Sequence, residues 1–351
     1  MAEPLDIENF ADLTSYLRRT GRLAPEETPV CTNLAGGVSN RTVLLRRQSG
    51  ETWVLKQALA RLRVAVEWLS DPRRIEREAL GMQHLARLGP PGAITPLIFL
   101  DPAEHLLAMA AVPQPHENWK TMLLAGRVEA GHIEQFARLL GAIHRRGWED
   151  RAAIGPLFND RTFFESLRLE PYYQYTAQKV PAAADFLHAL VAQTRATRQT
   201  LVHGDFSPKN VLVHQDRLVL LDHEVIHFGD GAFDLGFALT HLLAKAFHLE
   251  QHRQAFADAA LQFWAEYRRA LGDVPWADDL ETRAVRHTLG CLLARCRGRS
   301  PLEYLASSER DELSATVVYL MQSPPNRLSE LACKLLEGGR PRPPFSAKRG
   351  G

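Results

Sequence analysis

The spacing of apolar residues changes character near position 112. Before that point, short apolar or alternating runs bounded by turn residues are typical of β-strands, and residues that are apolar three or four positions apart are typical of amphipathic helices. A first helix is predicted at residues 6–19, and a second opens with Asp71 as N-cap and Pro72 as first helical residue and ends before Gly89. The predicted strands are residues 30–35, 42–47, 52–57, 96–100 and 106–112.

After that point the pattern is almost wholly helical. The predicted helices are residues 133–145, 161–169, 182–195, 233–247, 252–271 and 280–295. Two short apolar runs, 211–213 and 218–221, instead predict a tight hairpin of buried strands. We therefore predict an α+β small lobe, residues 1–112, with an antiparallel five-stranded sheet and one main helix, followed by a large, mostly helical lobe, residues 113–338. Residues 339–351 are rich in Gly, Pro and Arg and are predicted to be a disordered tail.

Composition and charge narrow the class of protein. The 351 residues are 45% hydrophobic and 24% charged, with a net charge of +1, so no overall field favours nucleic acid or an anionic membrane as partner. The four cysteines form no CxxC pair, which is typical of reduced thiols, and no apolar run approaches membrane-spanning length. The chain shows no signal pattern at its start. A cytoplasmic protein is expected, and the sequence predicts no particular oligomeric state.

Polar groups bracket the predicted hairpin in the stretch LVHGDFSPKNVLVHQDRLVLLDHE. Asp205 is followed five residues later by Asn210, and Asp222 and Glu224 follow the second strand. Phosphoryl transfer needs a carboxylate that orients and deprotonates the attacking hydroxyl, and oxygen ligands that hold Mg²⁺ against the phosphates. Asp205 fits the first task, and Asp222, with Asn210 or Glu224 as second ligand, fits the other. The alternative, an ordinary polar turn and a solvated strand end, does not account for the order and spacing of all four groups.

A glycine-containing turn lies between the first two predicted strands. In Gly36-Gly37-Val38-Ser39-Asn40 the adjacent glycines would let backbone N–H groups approach a ligand phosphate, as a β-hairpin over ATP must. A plain hairpin turn is the alternative interpretation, since the motif is not the GxGxxG of protein kinases. We expect Gly36, Gly37, Ser39 and Asn40 to contact the nucleotide.

Lys56 ends the third strand, TWVLK, where an ammonium group is unexpected unless it meets an anion. The following helix carries Glu76 and Glu78. A strand lysine that pairs with a helix glutamate and touches the ATP phosphates is the usual kinase arrangement. Glu78 is the preferred partner, with Glu76 left open. The nucleotide base is expected near Ala110 and Val112, because this link joins the two lobes and clefts between lobes are favoured ligand sites.

The segments HGDFSPKN and LLDHE resemble the catalytic and metal loops of the aminoglycoside phosphotransferase and choline kinase family. Its members have a protein-kinase-like fold and phosphorylate small molecules. The resemblance extends over about residues 5–336. Within the family, the segments VLKQALARLRV, RIEREAL, Trp119-Lys120 and DHEVIHFGDGAFDLGF are most similar to the methylthioribose kinases. The resemblance implies a bilobal kinase-like fold with ATP and Mg²⁺ as cofactors.

The resemblance also implies roles for individual residues. Asp205 would be the catalytic base, and Lys56 would hold the ATP phosphates. Asp222 and Glu224 would bind Mg²⁺. Arg295, in LLARCRGRS, matches a substrate-binding arginine of the sugar kinases.

Two further residues are expected to support the catalytic loop. His203 would fix the loop through backbone hydrogen bonds, with acid–base catalysis as the alternative. Asp234 would accept backbone N–H bonds from the same loop. The chain departs from the methylthioribose kinases at Asn210, where they typically lack an asparagine, at His223, where they have a proline, and at Ala294, where they have a second arginine.

We therefore expect an ATP- and Mg²⁺-dependent kinase that transfers the γ-phosphoryl group to a hydroxyl of a sugar-like small molecule, with methylthioribose as one candidate. The alternative is the same chemistry on an aminoglycoside, choline, an amino alcohol or a ketosamine. Acidic residues in the acceptor pocket would favour these cationic compounds, whereas arginines would favour a neutral or anionic sugar. A regulatory nucleotide-binding protein without catalysis is disfavoured because the set of catalytic groups is intact. A protein kinase is disfavoured because the sequence lacks GxGxxG, DFG and APE elements.

Overall fold

Five antiparallel strands form the sheet of the amino-terminal lobe in the computed structural model, which describes residues 5–34, 39–63 and 68–336. The strands are β1 (Val30–Asn33), β2 (Asn40–Arg46), β3 (Thr52–Ala58), β4 (Leu97–Asp101) and β5 (Leu106–Ala110). Their order in the sheet is β1-β2-β3-β5-β4, so β3 lies at the centre. The predicted five-stranded sheet is confirmed. Gly36, Gly37 and the predicted tail lie outside the described residues.

The two faces of β3 have different surroundings because side chains alternate along a strand. Trp53 and Leu55 are buried in one apolar cluster with helix α1 (Phe10–Arg19). Val54 and Lys56 point the other way and line a cavity. Lys56 is therefore carried by the central strand, with β2 on one side and β5 on the other.

Both predicted helices of this lobe are present but begin later than the apolar pattern indicates. Helix α1 begins after the N-cap Asn9, whose side chain accepts two N–H groups of the first turn. Helix α2 (Arg74–Leu88) begins two residues after Pro72 and not at it. The reason is that the Asp71 carboxylate accepts the N–H of Arg73 at 2.9 Å, which holds these residues in a turn.

The rest of the described chain is mostly helical, as predicted, and adds five short strands. The helices are α3 (Trp119–Leu124), α4 (Ala130–Glu149), α5 (Arg151–Leu157), α6 (Thr162–Phe164), α7 (Tyr175–Lys179), α8 (Ala184–Ala196), α9 (Ala232–His248), α10 (Arg253–Leu271), α11 (Leu280–Arg297), α12 (Ser307–Gln322) and α13 (Leu328–Leu336). The strands are β6 (Glu117–Asn118), β7 (Thr200–Val202), β8 (Val211–His214), β9 (Arg217–Leu220) and β10 (His227–Gly229). The predicted helix at residues 161–169 is instead α6 followed by a wide π-helical segment, Glu165–Gln174, in which Pro171 lacks the N–H that an α-helical bond needs.

Helices α9 and α11 pack closely in the large lobe. Helix α9 is apolar around most of its circumference, and all of its residues from Ala232 to Ala246 are buried. Gly236 allows the approach of α11, because a Cβ added there would lie 2.3 Å from the Cβ and 2.7 Å from the backbone carbon of His287. Among the helices of the described ranges, none is both long and apolar enough to cross a membrane.

The short strands present two loops side by side. Strands β8 and β9 form the predicted hairpin, whose turn has positive φ at Gln215 (48°) and Asp216 (55°), as a two-residue type I′ turn requires. Strand β7 leads into residues 203–210, and β9 leads into residues 222–224; we call these the catalytic loop and the metal loop after their predicted roles. The two are neighbours because Leu221 N donates to the carbonyl of Asn210 at 2.8 Å.

Replacing Gly236 by Ala is expected to destabilise the fold by about 1–3 kcal/mol, because the added methyl group overlaps the backbone of α11. Gly131→Ala is the matched control, since no atom lies within 4 Å of a Cβ added at this position in α4. The control should leave stability unchanged or slightly raised. Urea unfolding followed by circular dichroism measures both variants, and equal unfolding midpoints would contradict the packing argument.

Candidate active site

Asp234, in the first turn of α9, holds the start of the catalytic loop. Its two carboxylate oxygens accept the backbone N–H groups of His203 at 2.7 Å and Gly204 at 2.8 Å. Gly204 has a φ of 80°, and a Cβ there would lie 2.8 Å from a side-chain carbon of Val225. The loop therefore requires glycine before Asp205, and the buried carboxylate of Asp234 determines where the loop lies.

Asp205 is 1% exposed and is flanked by two cations. Arg168 Nη2 and Lys209 Nζ each lie 2.9 Å from its Oδ2. Burial by itself would raise the pKa of Asp205, but the charges of Arg168 and Lys209 outweigh burial and hold the pKa below its usual range. The carboxylate is therefore ionised at neutral pH. Its Oδ1 has no hydrogen-bond partner among the described residues.

Lys56 lies between two carboxylates. Its Nζ is 2.6 Å from Glu78 Oε1 and 3.1 Å from Asp222 Oδ1. Glu78 is thus the glutamate of α2 that pairs with Lys56. Burial opposes the charged form of Lys56, but the charges of Asp222 and Glu78 outweigh burial and raise the pKa of the ammonium group. One charged group therefore connects β3, α2 and the metal loop.

Three carboxylates converge at the metal loop. Glu78, Asp222 and Glu224 each offer an oxygen within 4.8 Å of the others, an arrangement that can hold a divalent cation. Asp222 has a φ of 68°, which residues other than glycine rarely adopt, and such strain is typical of functional sites. Glu224 is held by Arg74, whose Nε lies 3.1 Å from Oε2. Glu78 is fully buried, whereas Asp222 and Glu224 line a cavity, so these two are the carboxylates of the group that a bound ion could reach.

A cavity of about 770 Å³, the large cavity, lies between the sheet and the β8–β9 hairpin. Val54 and Met109 line it from the sheet, and Leu212 and Leu221 line it from the hairpin. A slot of this size with apolar walls suits the base and ribose of a nucleotide. The residues that the sequence predicted for nucleotide binding and that line this cavity are Ser39, Asn40, Lys56, Ala110 and Val112.

A second cavity of about 450 Å³, the small cavity, adjoins the first. Asp205 lines it together with charged and hydroxyl-bearing side chains from several helices, and Asn210 and Asp222 line both cavities. The two cavities therefore meet between the catalytic and metal loops. Other residues that line the small cavity are Trp68, Lys120, Arg168, Tyr172, Lys209, Glu224 and Ser300.

Arg295, expected at the substrate, is not among the described residues that line either cavity. It is buried, and its Nη1 donates to Tyr172 Oη at 3.1 Å and to Ser300 Oγ at 2.8 Å. Both of these partners line the small cavity. Arg295 thus lies one layer behind the cavity wall and supports it.

A pair of histidines links the two loops. His203 Nδ1 accepts the backbone N–H of Asp205 at 3.2 Å, and His203 Nε2 lies 3.0 Å from His223 Nδ1. Burial lowers the pKa of both imidazoles, so both are neutral. Because Nδ1 of His203 is an acceptor, its Nε2 carries the proton and donates to His223. This hydrogen bond couples the catalytic loop to the metal loop.

Arg168, Lys209 and Arg74 contact the site although none of them was predicted as a site residue. Lys209 lies four residues after Asp205, and this spacing within the loop is a signal that could have identified it. Arg168 comes from the π-helical segment and Arg74 from α2, far from the loops that they contact. No local pattern connects such residues to the site, because the connection is made only by packing.

The profile of the phosphotransferase enzyme family (APH) matches residues 30–272, a span that includes both loops, Lys56 and Glu78. The chain belongs to this family. It aligns with methylthioribose kinases of Pectobacterium carotovorum subsp. carotovorum and Yersinia enterocolitica at 25% identity over 269 and 270 residues. These alignments cover 66% of this chain and 64% and 65% of the two kinases, so the chain spans slightly less than two thirds of the length of these relatives.

Solved structures of other phosphotransferases share the fold. An amicoumacin kinase in complex with AMP-PNP and Ca²⁺ has a TM-score of 0.56 and 14% identity, with 93% of this chain and 100% of that chain covered. A choline/ethanolamine kinase family protein from Mesorhizobium loti has a TM-score of 0.55 and 15% identity, with 94% and 99% covered. At such low identity these similarities concern the fold alone. The expected bilobal kinase-like fold is confirmed.

Asp234→Ala is expected to destabilise the protein by about 2–5 kcal/mol, because the N–H groups of His203 and Gly204 would stay buried without an acceptor. Asp185→Ala, at an exposed position in the first turn of α8, is the control and should change stability by about 0.5 kcal/mol or less. Urea unfolding compares the two, and hydrogen exchange locates the effect. Unchanged protection of the two amides in Asp234→Ala would contradict the anchoring role.

Proposed function

We propose that this chain is an ATP- and Mg²⁺-dependent kinase that transfers the γ-phosphoryl group to a hydroxyl of a small, sugar-like molecule. The observation that carries the proposal is the junction of the two cavities. Lys56 lines the large cavity, Asp205 lines the small one, and Asn210 and Asp222 line both. A nucleotide in the large cavity would thus direct its terminal phosphate toward a hydroxyl held beside Asp205. Membership in the phosphotransferase enzyme family supports this class of reaction.

The nucleotide side of the site would rely on fixed charges. Lys56, oriented by Glu78, binds phosphate oxygens in this proposal. Asp222 and Glu224, with the Asn210 amide, would hold Mg²⁺, which when bound neutralises charge on the phosphates. The nucleotide would also contact Ser39 and Asn40, where β2 begins, and the link from Ala110 to Val112. Contacts from Gly36 and Gly37 stay a prediction.

On the acceptor side, Asp205 would act as the general base. Its Oδ1 is free to accept a hydrogen bond from the attacking hydroxyl and then its proton. Arg168 and Lys209 keep the carboxylate ionised, which also makes it a weak base. A weak base is sufficient because the transition state of phosphoryl transfer is loose and needs little activation of the nucleophile. Lys209 also lines the small cavity and would neutralise charge on the transferred group.

The charges of the small cavity favour a sugar-like acceptor over a cationic one. Among the described residues that line it, the carboxylates are those employed by the reaction itself, namely Asp205, Asp222 and Glu224, whereas Lys120 and Arg168 add positive charge. Aminoglycosides, choline and amino alcohols are cations at neutral pH and would lack a dedicated partner. The 25% identity with methylthioribose kinases supports a sugar-like acceptor and makes methylthioribose the first compound to test.

A screen of hydroxyl compounds scored by ADP release tests the proposed function, with methylthioribose first, neutral sugars next, and choline and aminoglycosides last. Asp205→Asn is expected to lower turnover by about 10²–10⁴-fold, because the amide cannot take the proton of the acceptor. Binding of a fluorescent ATP analogue should be retained in this variant. Asp258→Asn, at an exposed position of α10, is the control and should react at the wild-type rate.

Near-normal turnover by Asp205→Asn would show that this carboxylate is not the base. If no acceptor stimulates ADP release above the Asp205→Asn blank, a nucleotide-binding regulatory role would replace the proposed transferase function.

Asp222→Ala is expected to weaken binding of Mg-AMP-PNP by about 10–100-fold, because it removes a metal ligand. Binding of AMP-PNP without Mg²⁺ should change much less. Calorimetry with and without Mg²⁺ measures both affinities, with Asp258→Ala as control. An equal loss of affinity in the two conditions would mean that Asp222 acts through Lys56 and not through the metal ion.

A further inference from the structure

Basic side chains gather at one wall of the small cavity. Lys120, Tyr172 and Ser300 line this wall, and Arg295 lies directly behind it, hydrogen-bonded to Tyr172 and Ser300. Burial, together with the nearby charges of Lys120 and Arg295, lowers the pKa of the ammonium group of Lys245, on α9, to about 7. We call Lys120, Lys245 and Arg295 the basic cluster.

The basic cluster is not balanced by carboxylates. Lys120 pairs with Glu303, a largely exposed side chain. Lys245 is fully buried and donates to the backbone carbonyl of His241 at 3.1 Å, while Arg295 donates to neutral oxygens. Within the described ranges, neither Lys245 nor Arg295 has a carboxylate at ion-pair distance. Three basic side chains therefore share one carboxylate at this wall.

Buried polar atoms in the same region also lack partners. The Nε of Arg295 and the Nε2 of His241 have no hydrogen-bond partner among the described residues, and both side chains are more than nine-tenths buried. Burying a charge without a counterion is unfavourable, and buried polar groups are normally paired. His241 is neutral because burial lowers its pKa, but the unpartnered N–H of Arg295 and the uncompensated positive charge behind this wall are explained if a ligand supplies the opposite charge.

We propose that the acceptor carries an anionic oxygen group, a carboxylate or a phosphate, that binds against Lys120 and Ser300 in the field of Lys245 and Arg295. The inference rests on the proposed kinase function and narrows its acceptor to an anionic sugar-like compound, which neutral methylthioribose is not. The anion would take the place of the exposed Glu303 on Lys120 and would accept a hydrogen bond from the Ser300 hydroxyl. The two buried cations act through a low-dielectric wall, where Coulomb attraction is strongest. Because Asp205 lines the same cavity, a hydroxyl elsewhere on the molecule would lie beside it.

Pairs of compounds that differ in one charged group test the proposal: ribose against ribose 5-phosphate, and sorbitol against gluconate. Binding is measured by calorimetry in the presence of Mg-AMP-PNP, and phosphorylation is measured separately by ADP release with Mg-ATP. We expect the anionic member of at least one pair to bind about tenfold more tightly than its neutral partner. The pair that responds distinguishes a phosphate from a carboxylate. Preference for the neutral member in both pairs, or no binding of either anion, would overturn the proposal.

Two substitutions locate the anion. Lys120→Met and Lys245→Met should each lower affinity for the preferred anion by about tenfold without changing the KM for ATP. Lys334→Met, on the surface of α13 and paired with Glu330, is the control and should change neither quantity. An anion preference that survives both substitutions would overturn the proposal. Anion binding without ADP release would instead contradict the kinase function and support the anion site. Failure of the kinase proposal can therefore be distinguished from failure of the anion-site proposal.

The stability of the ligand-free protein supplies a readout that does not depend on activity. An ammonium group buried without a counterion opposes folding, so Lys245→Met, which keeps most of the length of the side chain and removes the charge, should raise the melting temperature. A melting temperature lowered by this substitution would mean that Lys245 serves the fold, and would overturn its role in anion binding.

Discussion

The ammonium group of Lys56 connects the parts of the chain on which the rest of the site depends. The central strand of the small lobe carries it, α2 supplies Glu78 at 2.6 Å, and the metal loop supplies Asp222 at 3.1 Å. Glu78 is fully buried, and burial raises the pKa of its carboxyl group even though the charge of Lys56 opposes this shift. Arg74 makes a second connection from the same helix to Glu224. The position of α2 therefore determines where both carboxylates of the metal loop lie.

Two neighbouring carboxylates, the buried Asp205 and the partly buried Asp222, stay ionised because each has its own cations. Asp222 has Lys56, and Asp205 has Arg168 and Lys209. Without these charges, burial and mutual repulsion would raise the pKa of both acids and leave one of them protonated at neutral pH. The proposed base and the proposed metal ligand are thus both ionised at neutral pH, as phosphoryl transfer would require. The basic cluster differs in one respect, because in our proposal the acceptor and not the protein supplies the opposite charge.

Much of the fold follows from local patterns. The five strands, the β8–β9 hairpin and the long helices of the large lobe are visible in the sequence because each buries a regular apolar face. The starts of α1 and α2 were placed too early, since capping by Asn9 and the turn at Asp71 depend on side-chain hydrogen bonds that apolar periodicity does not report. Helices α3, α5, α7, α12 and α13 were not predicted. They are short or carry mixed faces that only contacts with other helices define.

The sequence by itself determined the chemistry of the two loops. Asp205, Asn210 and Asp222 lie within one hairpin of each other, so their spacing along the chain already fixes their approximate spacing in space. Tertiary structure alone decided what surrounds them. In the folded chain Glu78 pairs with Lys56, Arg168 contacts Asp205, and Arg295 lies behind the wall of the small cavity. These residues come from separate helices, and the distance between two helices is set by how their side chains pack and not by any pattern within either one.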